Sequence, residues 1–263
     1  MKPIARMVYV PGREEVASRL GGEWSSLIEM APASLDLMSP RGIATQGLQL
    51  ISNAANPRRF DRLVADVQGR LRAASVPVLI EEHRNPAPLQ EASSLTRPRR
   101  RWLGQLALEL YFAQLFRGYD AALDLRPSRF GVDGSGDAVW RPRPIYVRWN
   151  QRFLKGIRDV YEGFFFDRAE QLDAGLAALG LGSSAGLLLG HLGDGNQRSV
   201  RFGSEQLRSL LREMADRRQP EEPKLHPNFI AFGLLLTGLH ELLEELDLAF
   251  DVRSAFMRTH PGT

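Results

Sequence analysis

Apolar residues recur every three to four positions along most of the chain, a spacing that predicts amphipathic helices. The clearest example follows Asn56 and Pro57, a capping residue and a first helical residue, and its apolar positions between 60 and 71 share one face. Similar stripes predict helices over residues 102–116, 153–164, 171–179, 204–214 and 228–246. The pattern therefore predicts a mainly α fold.

The helical pattern is interrupted between residues 130 and 140. Two short apolar segments there flank the sequence Asp133-Gly134-Ser135-Gly136, and glycines supply the positive φ angles that a tight turn needs. We therefore predict a small β-hairpin near residues 130–140. Further short strands are predicted near the N-terminus, at residues 7–10 and 76–80, which places the fold at the margin of the α+β class.

Prolines and glycines divide the chain into three predicted parts. Residues 1–82 form an N-terminal section, with short helices at 13–20 and 23–30, turns, and the short strands. Up to about residue 56, prolines and glycines that include Pro40, Gly42 and Gly47 are expected to break the helices. Residues 83–101 combine prolines, serines and arginines and are predicted to be a linker. Residues 102–263 form a helical domain that contains the hairpin.

Composition narrows the class of protein. The 263 residues are 43% hydrophobic and 25% charged, which is typical of a globular chain. The absence of cysteine excludes disulfides, thiolate zinc sites and cysteine nucleophiles. No apolar run is long enough for a signal peptide or a membrane span, so we expect a soluble, cytoplasmic protein. The net charge of +3 does not by itself indicate nucleic-acid binding.

The principal catalytic candidate is Asp124, which lies after a predicted helix and before the hairpin. In phosphoryl transfer, an aspartate so placed can accept the proton of an attacking hydroxyl. Arg126 and Arg129 lie close by, and arginine forks bind phosphorylated or carboxylated substrates. The alternative is that Asp124 pairs with one of these arginines and fixes the turn.

A second candidate is a run of basic residues at the end of the predicted linker, which is formed by Arg97, Arg99, Arg100 and Arg101. Such a patch can bind phosphates or an acidic partner, and the alternative is a solvated linker. Aromatic residues do not alternate with these arginines as they would in a platform for single-stranded nucleic acid. No second histidine follows His240 one helical turn later, so we expect no metal, and no nucleotide-binding glycine motif is present, so we expect no cofactor.

The order of these features has a counterpart in a known family. A helix at 102–116 leads to Asp124 and Pro127, then to a hairpin with Asp133-Gly134; Leu179-Gly180-Leu181 and the segment 246–252 follow. Residues 102–258 thereby resemble the C-terminal lobe of the AarF/UbiB-like atypical kinases. The resemblance implies a kinase-like helical lobe with Asp124 in the position of the catalytic aspartate.

Three departures from the family pattern bear on catalysis. Arg129 stands where the family has a metal-binding asparagine, and an arginine cannot ligate magnesium. Trp140-Arg141-Pro142 occupies the region of the second metal-binding aspartate, and the family's K-x-G-Q motif is absent. No lysine lies between Lys2 and Lys155 to hold nucleotide phosphates. The resemblance therefore implies a pseudokinase.

These observations favour a non-catalytic, pseudokinase-like helical binding or scaffold protein that acts through a protein partner or as a homo-oligomer. One alternative is an enzyme that uses Asp124 and the neighbouring arginines on an anionic substrate. A second alternative is nucleic-acid binding through the arginine run at residues 97–101.

Overall fold

The computed structural model describes residues 38–54, 56–81, 88–182, 186, 199–217 and 224–262. This part of the chain contains eight α-helices, which are α1 (Pro40–Ala54), α2 (Pro57–Ala73), α3 (Arg97–Phe116), α4 (Gln151–Phe165), α5 (Ala169–Leu179), α6 (Ser204–Arg217), α7 (Asn228–Glu245) and α8 (Val252–Thr259). It also contains seven short strands, which are β1 (Val78–Ile80), β2 (Asp120–Ala122), β3 (Phe130–Val132), β4 (Ala138–Trp140), β5 (Tyr146–Arg148), β6 (Val200–Arg201) and β7 (Ala249–Phe250). The prediction of a mainly α fold with a few strands is confirmed.

Helix α3 lies at the centre of the fold. Almost every side chain from Leu103 onward is buried, because this part of the helix is apolar on all sides and packs against α2, α4, α7 and α8. An aromatic cluster covers its C-terminal half, where the hydroxyl oxygens of Tyr111 and Tyr161 lie 2.7 Å apart. Three arginine side chains, those of Arg70, Arg117 and Arg158, donate hydrogen bonds to backbone carbonyls around this end of the helix.

The strands form three small sheets. β3 and β4 pair antiparallel, with Phe130 opposite Trp140, and this confirms the predicted hairpin. β1 joins the same sheet parallel to β4, giving the order β1-β4-β3. The side chain of Gln68 bonds to both the carbonyl of Val78 and the amide of Ile80, so it protects part of the outer edge of β1. β2 pairs with β5 and β6 with β7, both antiparallel.

Helices α4 and α5 form a closely packed pair because glycines line their contact. A Cβ atom added at Gly163 would lie 2.4 Å from the backbone nitrogen of Leu172, so no larger residue fits without moving the helices apart. Asn150 caps α4, because its side chain accepts hydrogen bonds from the backbone amides of Arg152 and Phe153. Gly180 ends α5 in the left-handed conformation with φ of 76°.

Two predicted segments differ in the structure. Residues 40–54 were expected to break at Pro40, Gly42 and Gly47, but they form the continuous helix α1. Pro40 occupies its first position, where no amide is needed, and Gly42 packs against Pro227. The helix predicted to start at Trp102 begins five residues earlier in the sequence, at Arg97.

The predicted linker 83–101 is therefore partly helical, because residues 97–101 are the first turns of α3. Thr96 precedes this helix in an extended conformation and Pro98 lies in its first turn, and both are helix-start signals. Ala92 and Leu95 are buried in the core, and strand β1 pairs with β4 across the predicted boundary. The strand at 7–10 and the helices at 13–20 and 23–30 lie outside the described residues. In the described part, no helix is both long and apolar enough to span a membrane.

Candidate functional site

Asp124 lies in the loop that connects β2 to the 3₁₀ turn Pro127–Arg129 and to the hairpin. The amide of Leu123 donates to the carbonyl of Ile145, which holds the loop beside β5. The residues on either side, Leu123 and Leu125, are wholly buried, and Asp124 itself has 0% of its surface exposed. The loop is thus part of the protein core.

The carboxylate of Asp124 is engaged on both oxygens. Arg126 donates from Nε to Oδ1 at 2.8 Å and from Nη2 to Oδ2 at 3.2 Å, which is a bidentate ion pair. Nε of Arg129 lies 3.9 Å from Oδ2, and the amide of Arg143 donates to the same oxygen at 3.4 Å. Because Arg126 is also buried, both charges of the principal pair are removed from water.

Two residues from other elements contact the backbone of this loop. The indole nitrogen of Trp140 donates to the backbone carbonyl of Asp124 at 2.7 Å, which ties the loop to strand β4. On the other side, a Cβ atom added at Gly238 of helix α7 would lie 3.3 Å from the backbone nitrogens of Leu125 and Arg126. The helix therefore packs directly on the loop backbone, and the small size of glycine permits this approach.

This geometry agrees with the alternative in which Asp124 pairs with an arginine and fixes the turn. A general base must come within hydrogen-bond reach of the substrate, directly or through one water molecule. A carboxylate that is fully buried and held by a guanidinium does not meet that requirement in this conformation. Its physical role here is to join β2, the 3₁₀ turn and the hairpin.

The other residues of the kinase-like pattern also have structural partners. Oδ1 of Asp133 accepts hydrogen bonds from the amides of Ser135 and Asp137, both at 2.9 Å, and so shapes the hairpin turn. Arg141, in the region of the family's second aspartate, is buried and pairs with Glu81 at 2.7 Å. Outside that pattern, the metal-ligand candidate His240 is buried and packs edge-on against Phe202. Among the described residues, no group of three histidine, aspartate or glutamate side chains could hold a metal ion.

The structure divides the arginine run into two pairs. Arg99 donates to the carbonyl of Gly136 at 3.1 Å and also stacks over the ring of Trp102 at 5.0 Å. Arg100 donates to the carbonyl of Leu246 at 3.2 Å. These two residues therefore anchor α3 to the hairpin and to the end of α7. Within the described part of the chain, Arg97 and Arg101 are exposed and make no side-chain hydrogen bond or ion pair.

Arg97 and Arg101 border an open groove of about 640 Å³ on the surface of α3. We call it the α3 groove, and the described residues that line it are Arg97, Pro98, Arg101, Trp102 and Gln105. The sequence pattern identifies these arginines but not the groove, because the prolines and serines around them predict a linker. Had the helix start at Thr96 and Pro98 been recognised, the spacing of residues 97, 101 and 105 would have placed them on one helix face.

One buried charge on α3 was not predicted. Glu109 is 3% exposed and pairs with Arg258 of helix α8. Burial raises the pKa of this carboxyl, and the opposing effect of Arg258 is smaller. Nothing in the local sequence distinguishes Glu109 from the exposed acid of an amphipathic helix, since its burial results from packing against α8.

Comparison with known proteins adds no family assignment. No protein-family model matches the chain, and a search of curated proteins found none that matches it.

Proposed function

We propose that this chain is a non-catalytic helical binding or scaffold protein, pseudokinase-like in the order of its elements, that binds a protein partner through the α3 groove. The observation that carries the proposal is the pair of exposed, unpaired arginines beside Trp102. Arginine and aromatic residues are enriched in protein interfaces, where they supply directional hydrogen bonds and apolar area together.

The state of Asp124 supports the non-catalytic part of the proposal. The alternative in which this residue acts on an anionic substrate needs an accessible carboxylate and accessible arginine forks. Asp124 is 0% exposed and Arg126 is buried and paired with it, so neither group is accessible to a substrate in this conformation.

The proposal can be tested by site-specific photo-crosslinking in the native host. A photoreactive phenylalanine analogue would replace Pro98, an exposed groove residue, or Asp173, an exposed residue of α5 that serves as control. We expect a discrete crosslinked protein from position 98 but not from position 173. We also expect it to be lost when Arg97→Gln and Arg101→Gln are added.

Two results would overturn the proposal. One is the absence of any crosslinked protein that depends on the groove arginines. The other is a turnover activity of the purified chain that Asp124→Asn abolishes while its thermal unfolding stays unchanged.

A further inference from the structure

The two free arginines of the α3 groove lie one helical turn apart. Residues four apart on a helix have Cβ atoms separated by roughly 5–6 Å, so the side chains of Arg97 and Arg101 project next to each other. Each guanidinium can bind a carboxylate through two parallel hydrogen bonds. Two neighbouring carboxylates on a short stretch of chain would match this arrangement.

The remainder of the groove is suited to an apolar side chain. Pro98 is exposed, and Trp102 is half-buried with part of its surface packed against the core. Arg99 stacks over the Trp102 ring and donates to the carbonyl of Gly136. It therefore adds a positive charge near the groove, but its guanidinium is already hydrogen-bonded. The amide nitrogen of Gln105 donates to the carbonyl of Asp251 at 3.2 Å, which holds this side chain in place.

Negative charges limit the positive area on both flanks of α3. On the flank of Arg100, the acidic residues Glu245 and Glu91 lie near each other; partial burial of the Glu245 carboxyl, followed by repulsion from Glu91, raises its pKa. On the flank of Arg99, the hairpin carries the exposed carboxylate of Asp137. A nucleic-acid backbone needs a continuous basic track, whereas a short acidic segment needs only the width of the groove.

From this arrangement we infer that the α3 groove binds an acidic segment of the partner protein, with two carboxylates on Arg97 and Arg101 and an apolar side chain against Trp102 and Pro98. The inference rests on the proposed function and adds the chemistry of the partner to it. Charge complementarity selects the acidic residues, and the lining by proline and tryptophan selects the apolar residue between them.

Fluorescence anisotropy with a labelled synthetic peptide tests the inference on the full chain. The probe peptide carries glutamates and aspartates around a leucine and a phenylalanine, and its control has glutamine and asparagine in place of the acids. We expect saturable binding of the acidic probe only, weakened by added salt because exposed charges are screened. Arg97→Gln with Arg101→Gln should weaken binding on the order of tenfold or more, since two charge-assisted contacts are lost.

The matched control is Arg148→Gln with Arg152→Gln. These arginines are also four residues apart in sequence and exposed. They lie away from the groove, because Arg148 of β5 is opposite Asp120 of β2, which is near the other end of the roughly 30 Å long α3. The control should bind the probe as the wild type does. Both double variants should unfold at the wild-type temperature, because no ion pair of the described chain depends on them.

Different failures separate the two proposals. Equal loss of binding in both double variants, equal binding of the uncharged peptide, or tighter groove-dependent binding of a labelled single-stranded oligonucleotide would overturn the acidic-segment inference. If crosslinking from position 98 still captures a groove-dependent protein, the proposed function stands while the inference fails. If crosslinking captures none, the proposed function itself fails, whatever the peptide does.

Discussion

The substitution Asp124→Asn tests the structural role of the buried aspartate. It retains the shape of the side chain but removes the negative charge that compensates Arg126, whose side chain is 8% exposed. The guanidinium remains charged, because arginine does not lose its proton in proteins. The variant thus places an uncompensated charge in the core.

The expected loss of stability is large. Removing one partner of a buried ion pair costs about 3–5 kcal/mol. For chains of this size, each kcal/mol lowers the unfolding temperature by roughly 2–4 °C, so Asp124→Asn should unfold on the order of 10 °C below the wild type. Circular dichroism during heating, together with urea unfolding, measures both quantities.

Asp247→Asn is the matched control, since Asp247 also pairs with an arginine but both side chains are 68% exposed. Surface pairs of this kind contribute less than about 1 kcal/mol, so this variant should unfold close to the wild type. A double-mutant cycle that combines Asp124→Asn with Arg126→Gln measures the coupling between the two side chains directly. The double variant Asp124→Asn with Arg126→Gln should be more stable than the sum of the single effects predicts, with a coupling of about 1 kcal/mol or more.

A wild-type unfolding temperature for Asp124→Asn would refute this reasoning. It would mean that the carboxylate is not holding the loop, and the catalytic alternative would then regain its basis. Additive effects in the cycle would show instead that Asp124 and Arg126 do not stabilise the fold as a pair.

Three further outcomes follow from the packing. Gly163→Ala should destabilise the fold by about 1–3 kcal/mol in urea unfolding, because its Cβ would meet the backbone of α5. Gly47→Ala, where nothing lies within 4 Å, should instead stabilise α1 by about 0.5–1 kcal/mol, and the same sign for both would contradict the packing. Burial raises the pKa of Glu109 above the ordinary value of 4.5, so the folded state binds more protons, and stability falls as pH rises from below 4.5 through the raised pKa. The free energy of unfolding of Glu109→Gln should therefore equal that of the wild type at acidic pH and exceed it towards neutral pH. A difference between the two proteins that stays constant across this pH range would exclude the effect.

Local patterns were sufficient for the elements whose signals lie within a few residues. Asn56 and Pro57 marked the start of α2, and the side chain of Asn56 does accept a hydrogen bond from the amide of Arg59 at 3.2 Å. The glycine-rich turn marked the hairpin. Where glycine was taken as a helix breaker, as in α1, the prediction was wrong. A glycine inside a helix destabilises it by only about 1 kcal/mol, and tertiary packing can outweigh that loss.

The sequence by itself determined the helical class, the hairpin, and which residues could carry chemistry, since periodicity and turn signals are local properties. Only the tertiary structure decided what those residues do. The backbone beside Asp124, at Leu125 and Arg126, packs against Gly238, which is distant in sequence, and Arg100 is bonded to Leu246, which lies 146 residues further along. Burial and pairing arise from such long-range contacts. The sequence of an arginine run therefore does not show which of its arginines will be bonded to distant residues. Hence Arg97 and Arg101, left exposed on one face of α3, define the candidate binding surface.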